Sequence, residues 1–338
     1  MSAVLITRTV VAAAATAALT AAGGCGGDAP TATIPSAAPT VPAGAGPAPS
    51  ADTRTPGLNP DLFASGALVA AVGTESCVLS GGTQASCYRL EIAGRPANHR
   101  VGPFCPTTIH STAEEGGIWF DGSGPVYEMD GNFIVNVAGL YGDDNWLLYD
   151  PESGQVNVTD TKIACEAAAR PNVDPQYRNH CVECSIDYYG GGVSQTLLIP
   201  TEPVPLASPA PVRRDVGVAL NGVVLGPPAP VHAILGAYTI APFDDCGGHV
   251  NPVEGYHYHA ATGCAEIVPQ DDGHAAMIGY AMDGFAIAGR LDADGAEPSD
   301  LDGCRGHRDE VRGYHYHAAA AGENMFIGCF QGEQGTVR

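Results

Sequence analysis

Six histidines in two equally spaced sets carry the most chemistry in this chain. Residues 244–260 read DDCGGHVNPVEGYHYHA, and residues 302–318 read DGCRGHRDEVRGYHYHA. Matched positions lie 58 residues apart: Cys246 and Cys304, His249 and His307, His257 and His315, His259 and His317. One Tyr-His-Tyr-His run is compatible with chance. Two, each led by Asp-x-Cys-x-x-His, mark an internal duplication. Imidazole nitrogen suits zinc, copper, iron and nickel, so a repeated trio of histidines points to a bound transition metal, copper or zinc.

The alternation says how the trio is to be assembled. On a strand, residues i and i+2 share a face. His257 and His259 therefore point one way and Tyr256 and Tyr258 the other, and likewise His315 and His317 against Tyr314 and Tyr316. Gly255 and Gly313 mark the turns that open these strands. The third ligand, His249 or His307, is expected from a loop. The competing role for all six is hydrogen bonding inside the fold. Asp244 and Asp302 are equivalent and are candidates to orient an imidazole by accepting its other N–H. They are equally candidates to cap a turn. His99 and His274 are candidates for a further ligand or for a partner behind one. Glu254 and Glu310 lie near the histidines but do not align between the copies, so no general base is indicated.

The two GYHYHA phrases resemble the YHYH-domain proteins, a bacterial family without a settled biochemical function. Gly217–Gly222 (GVALNG) and Gly279–Gly284 (GYAMDG) are similar to the phrase that precedes each motif in that family. Arg95-Pro-Ala-Asn-His99 with Gly102-Pro-Phe resembles its upstream segment, and Phe326-Ile-Gly-Cys-Phe330 with Gly332 its closing one. Together these span about residues 75–335. The resemblance implies a metal-binding extracellular domain. Residues 106–190 show the least of the family pattern and read as a possible insertion, and 212–335 as the duplicated part.

Around these residues the chain is long enough, at 338 residues, to bury a full core. It holds 44 glycines and 27 prolines, and only 15% of its residues are charged. Short apolar runs are frequent: Tyr88–Ile92, Phe133–Val137, Trp146–Tyr149, Thr196–Ile199, Val216–Leu220 and Met282–Ile287. Asn221-Gly222 and Asp283-Gly284 each interrupt an apolar stretch, a strong hairpin signal. The expected fold is all-β or β-rich, one large disulfide-stapled domain over 61–335. A net charge of −22 with a single lysine, Lys162, disfavours nucleic acid as a partner.

The N-terminus reads as an address. Arg8 precedes an apolar run from Val10 to Ala22, followed by Gly23-Gly24-Cys25, and residues 1–25 are expected to be a signal peptide. Cys25 stands where a bacterial lipoprotein is lipidated, although Ala22 replaces the larger aliphatic residue of that pattern. Residues 26–60 are a Pro/Ala-rich tether. The chain is thus expected to be exported, secreted or held to the membrane by a lipid on Cys25. Ten cysteines remain, an even number that reads as disulfides. Cys246 and Cys304 are possible thiolate ligands, but each has a later cysteine beyond its own motif. The expected staples are Cys246–Cys264 and Cys304–Cys329.

Three functions fit: a metal-binding exported protein, a metal-dependent extracytoplasmic enzyme, and a β-rich surface module in which the motif is structural. The parity of the two copies favours the first. An open coordination position beside a carboxylate would favour the second, and exposed aromatics near Trp119 or Trp146 the third.

Overall fold

The duplication is visible in the pairing of the strands. The structure, a computed structural model, describes residues 57–338. The leader with Cys25, and the tether as far as residue 56, lie outside the described residues. Eight strands form the central sheet: β1 (Gly217–Ala219), β2 (Val224–Leu225), β3 (Gly248–Asn251), β4 (Gly255–Tyr258), β5 (Met277–Ala281), β6 (Ala286–Ala288), β7 (Gly306–Asp309) and β8 (Gly313–His317). Their spatial order is β3-β4-β2-β1-β5-β6-β8-β7. The second half of the order repeats the first in reverse.

The two halves meet at β1 and β5, which run antiparallel. Val218 faces Tyr280, Ala219 faces Gly279 and Gly217 faces Ala281. In the aligned phrases GVALNG and GYAMDG, Val218 and Tyr280 are equivalent and the two flanking pairs exchange Gly with Ala, so a twofold-like axis passes through the Val218/Tyr280 pair. Within each half the register also repeats. Leu225 lies beside Tyr258 in one and Ile287 beside Tyr316 in the other, both in parallel pairs. Strands covered on both faces read as unbroken apolar runs, and Val216, Val218, Ala219, Leu220, Val223, Val224 and Leu225 are all fully buried.

The turn after β1 and the turn after β5 each need a backbone that L side chains rarely adopt. Gly222 has φ 86° and Gly284 φ 90°, where glycine carries no steric cost. The residues before them do more than turn the chain. Asn221 is fully buried and its amide donates to the Tyr258 hydroxyl at 2.8 Å. Asp283, its equivalent, accepts from the Tyr316 hydroxyl at 2.6 Å and from the Gly332 backbone at 3.0 Å.

A four-stranded sheet built from Gly73–Val78, Gln84–Ile92, Gln195–Pro200 and Thr336–Val337 packs beside this core. The Pro-rich stretch after residue 200 is not a free linker: Pro205–Pro211 pairs antiparallel with Cys329–Gly332. The run Phe133–Val137, expected as a strand, is instead part of the helix Gly131–Tyr141. The Asp130 carboxylate caps it, accepting from the Phe133 N–H at 2.7 Å, and Gly142 closes it in the left-handed conformation. Phe133, Ile134 and Val137 then fall on one buried face. Five residues are too few to tell period 2 from period 3.6. Trp146–Tyr149 is likewise an irregular segment with a single bridge from Tyr149 to Val156.

The middle segment builds its own core from Trp119, Phe120, Met129, Ile134 and Leu148, closed by Ile240 and Phe243 of the duplicated part. Five disulfides tie the chain: Cys77–Cys87, Cys105–Cys181, Cys165–Cys184, Cys246–Cys264 and Cys304–Cys329. The last two close loops of 18 and 25 residues across the two motifs. In the chain-entropy account each restrains the unfolded state by about 3 kcal/mol. Cys181 and Cys184 bond different partners, so the C-x-x-C does not close on itself.

Burial raises Asp283 from 3.8 to about 6. The folded protein therefore holds this proton to higher pH than the unfolded chain does. The associated stability is complete below the unfolded value and is lost as pH rises through the folded one. Asp283→Asn, which installs the residue of the other copy, is expected to gain on the wild type as pH rises from 4 to 7, by about 1–3 kcal/mol. Denaturant midpoints measure this, and a difference that stays constant across that range contradicts it.

Candidate metal centre

Each half of the sheet ends in a hairpin, and the hairpin brings the histidines together. In the first, β3 pairs antiparallel with β4 and His249 stands directly opposite His257. In the second, β7 pairs with β8 and His307 stands opposite His315. Directly opposed residues share a face, and His259 or His317 joins from two positions along. The third histidine of each trio thus comes from the neighbouring strand and not from a loop.

The tyrosines fill the other face. Tyr256, Tyr258 and Tyr316 are buried in the main core. The Tyr256 hydroxyl reaches Asp244 at 2.8 Å, and the Tyr314 hydroxyl reaches Asp302 at 2.9 Å. Each runs beneath the glycine before the histidine: a Cβ on Gly248 would stand 2.6 Å from the Tyr256 hydroxyl, and one on Gly306 would stand 2.0 Å from that of Tyr314. The second Gly of Cys-Gly-Gly-His and the Gly of Cys-Arg-Gly-His are therefore steric requirements of the tyrosine below.

Asp244 and Asp302 do not contact the imidazoles by hydrogen bond. Besides its tyrosine, Asp244 accepts from the backbones of Cys246, Gly248 and Gly102, and Asp302 from those of Cys304 and Gly306. Their role is to cap the turn and hold the tyrosine. His99 also lies on the tyrosine face, with Nε2 2.6 Å from the Tyr258 hydroxyl, and is not part of a cluster.

His274 is. Its Nε2 lies 2.9 Å from that of His315, which places it in the second cluster with His307, His315 and His317. The first cluster holds His249, His257 and His259. In the first, the His259 Nε2 lies 3.0 Å from that of His257 and 3.2 Å from that of His249. In the second, His307 Nε2 lies 3.0 Å from His315 Nε2 and 3.1 Å from His317 Nε2.

The outer nitrogens decide what these short distances mean. The Nδ1 atoms of His257, His259, His274, His315 and His317 meet the carbonyl oxygens of Gly255, Pro227, Ala275, Gly313 and Gly289 at 2.7–3.0 Å. His307 Nδ1 meets the Asp300 carboxylate at 2.8 Å, and the His249 ring bonds the backbone of Ala241. Such oxygens only accept, so in the neutral form of these six rings the proton sits on Nδ1 and the lone pair on Nε2. Lone pairs facing one another at 3 Å repel unless a cation lies between them. Four nitrogens around zinc at 2.0–2.1 Å would be about 3.3 Å apart, close to the spacing here.

Protonation is a poor substitute for the cation. Burial, then the His257 and His259 rings, holds His249 well below the usual histidine range, and burial followed by His257 does the same to His259. Burial pushes His315 down to about 4 and His317 down to about 3.

The two centres differ at their margins. Glu254 Oε2 lies 3.2 Å from the His257 Nε2 and accepts from the Asn251 amide at 2.8 Å. Fifty-eight residues on, Arg312 stands at the position of Glu254 and Asp309 at that of Asn251. Arg312 bonds Asp309 and Asp272, each at 2.5 Å. Glu254 and Glu310, both near the histidines in the sequence, are out of register. Aligned by the common offset, the two copies set a carboxylate against a guanidinium.

Residues 196–299 match the family model described as YHYH protein. The chain therefore carries a YHYH domain, and the match takes in the first Tyr-His-Tyr-His and ends before the second. Neither a curated protein nor a solved structure matches the chain.

The shifts of His315 and His317 predict a pH response of the metal-free protein. The unfolded chain takes up these protons first, so stability is complete above 6.5 and falls as pH drops from there toward 4. The loss between pH 7 and pH 5 is expected to be roughly 1–2 kcal/mol per ring. It should be smaller in His315→Gln. Equal losses in the two proteins, read from denaturant midpoints without metal, would remove the case for a neutral buried cluster.

Proposed function

We propose that this is an exported metal-binding protein that holds one transition-metal ion, copper or zinc, in each of its two histidine clusters. One observation carries the reading: imidazole lone pairs converge within hydrogen-bond distance of each other while the opposite nitrogens are committed as donors. All the donors are neutral nitrogens, the set that zinc and copper favour over magnesium or calcium. The two clusters share no residue, so they are two sites rather than one at the pseudo-twofold axis.

Five disulfides support an oxidising compartment, and among the described residues no helix is long and apolar enough to cross a membrane. With the leader and the Cys25 context, the layout is that of a domain delivered outside the cytoplasm and held to a membrane by a lipid. Glu254, beside the first cluster, favours a second reading, a metal-dependent extracytoplasmic enzyme acting at that cluster alone. Trp119 and Trp146 are buried, so neither supplies the exposed aromatic surface that a glycan-binding module would use.

Metal analysis of untagged protein from its native compartment is the direct test, with two ions per chain expected. His257→Ala and His315→Ala are each expected to lower the content by one ion while the circular dichroism spectrum is kept. Unchanged stoichiometry in both variants would refute the assignment.

A further inference from the structure

The two clusters are copies, yet they face different surroundings. Beside the second, His274 supplies a fourth imidazole, and a small cavity of about 200 Å³ borders His274, His315 and Arg312. The first cluster has no fourth histidine. It opens on a cavity of about 350 Å³ whose lining includes all three rings. The walls are mostly apolar, with Phe104, Val182, Pro227, Ala233, Ile234 and Val250 beside the charged Arg170 and Glu183. At the end nearest the rings stand Asn251 and Glu254. Residues 168–171, Val173 and residues 182–184 also line it. They belong to the middle segment, which has no second copy, so the duplication could not have produced this cavity twice.

We propose that this cavity binds a small monoanionic organic molecule with an apolar body of aryl or branched-alkyl size, whose head coordinates the ion held by His249, His257 and His259. The inference rests on the metal-binding reading. Three neutral imidazoles leave a divalent ion with its full charge of two, and Glu254 supplies one negative charge beside it; the other carboxylate of the lining, Glu183, accepts from the Cys105 backbone N–H at 3.0 Å, and burial favours its neutral form. One positive charge remains in a site walled by apolar groups, where an unpaired charge is costly. An anionic head removes that cost. Arg170, the guanidinium in the lining, is committed to the Asp174 carboxylate and the Ala167 carbonyl, so it does not compete for the anion. An apolar cavity of about 150 Å³ accepts benzene, so this one has room for an aryl or branched body together with the atoms that reach the metal. Three protein ligands with an open fourth position are the arrangement of metal sites that exchange ligands, whereas a fourth protein ligand closes a site.

The probe is benzohydroxamate, a monoanionic metal-binding head on a phenyl body, with acetohydroxamate as the same head lacking that body. Both are titrated into the full chain loaded with cobalt(II) in its two clusters, and the visible d–d spectrum is recorded. Benzohydroxamate is expected to shift the bands of half of the cobalt, and at a concentration about tenfold lower than acetohydroxamate, because the phenyl ring is buried. In Ile234→Trp, which fills the cavity, both cobalt ions should stay bound while the benzohydroxamate response weakens by about tenfold or more. Equal affinity for the two hydroxamates, a comparison that needs no variant, would overturn the proposal. So would an unshifted spectrum at millimolar probe with two cobalt ions bound, and in that case the metal-binding reading stands. A chain that takes up no cobalt overturns both.

Discussion

The arrangement depends on the repulsion between imidazole lone pairs. In six of the seven clustered rings one nitrogen is held by a carbonyl or carboxylate oxygen and the other faces its neighbours at about 3 Å. The carbonyls come from equivalent positions in the two copies: the strand-opening Gly255 and Gly313 for the first histidine of each strand, Pro227 and Gly289 for the second. The backbone therefore sets the tautomer before any ligand arrives. What the fold pre-organises is a cavity of lone pairs, unfavourable by itself and favourable around a cation.

The tyrosines are the means by which that repulsion is held in place. Strand alternation sends each of them to the face away from the histidines, where their hydroxyls are anchored by Asp244, Asn221, Asp302 and Asp283. These groups belong to turns before or beside the motif, so the hairpin and its turns are locked to the same residues. Beneath both motifs a disulfide joins the turn to a later segment. Aspartates that the motif places near the histidines thus serve the opposite face.

A duplicated sheet would give two equal sites, and the differences come from what lies outside the sheet. His274 enters the second cluster from the stretch before β5. The middle segment covers the first, stacking Phe120 on Phe243 at 4.1 Å, while Phe243 lies against His249 and His259. A carboxylate at one margin and a guanidinium at the other complete the divergence. The two clusters have the same strand geometry and different access, neighbouring charge and number of histidines.

The order of residues was enough to read the duplication, the strand character of Tyr-His-Tyr-His, the opposite faces of its tyrosines and histidines, and a β-rich disulfide-stapled fold. Each of these follows from local spacing, because side-chain direction on a strand depends only on position along the chain. The partners of these residues are set by packing between distant segments. That His249 and His307 come from a neighbouring strand is a matter of register. That His274 belongs to a cluster and His99 does not depends on contacts across 41 and 159 residues. The helix at Gly131–Tyr141 was hidden because five alternating residues fit either period until a cap and a packed face choose one. The cavity over the first cluster needs walls from a segment without sequence resemblance to the repeats, and no local pattern announces which of two identical motifs such a segment will cover.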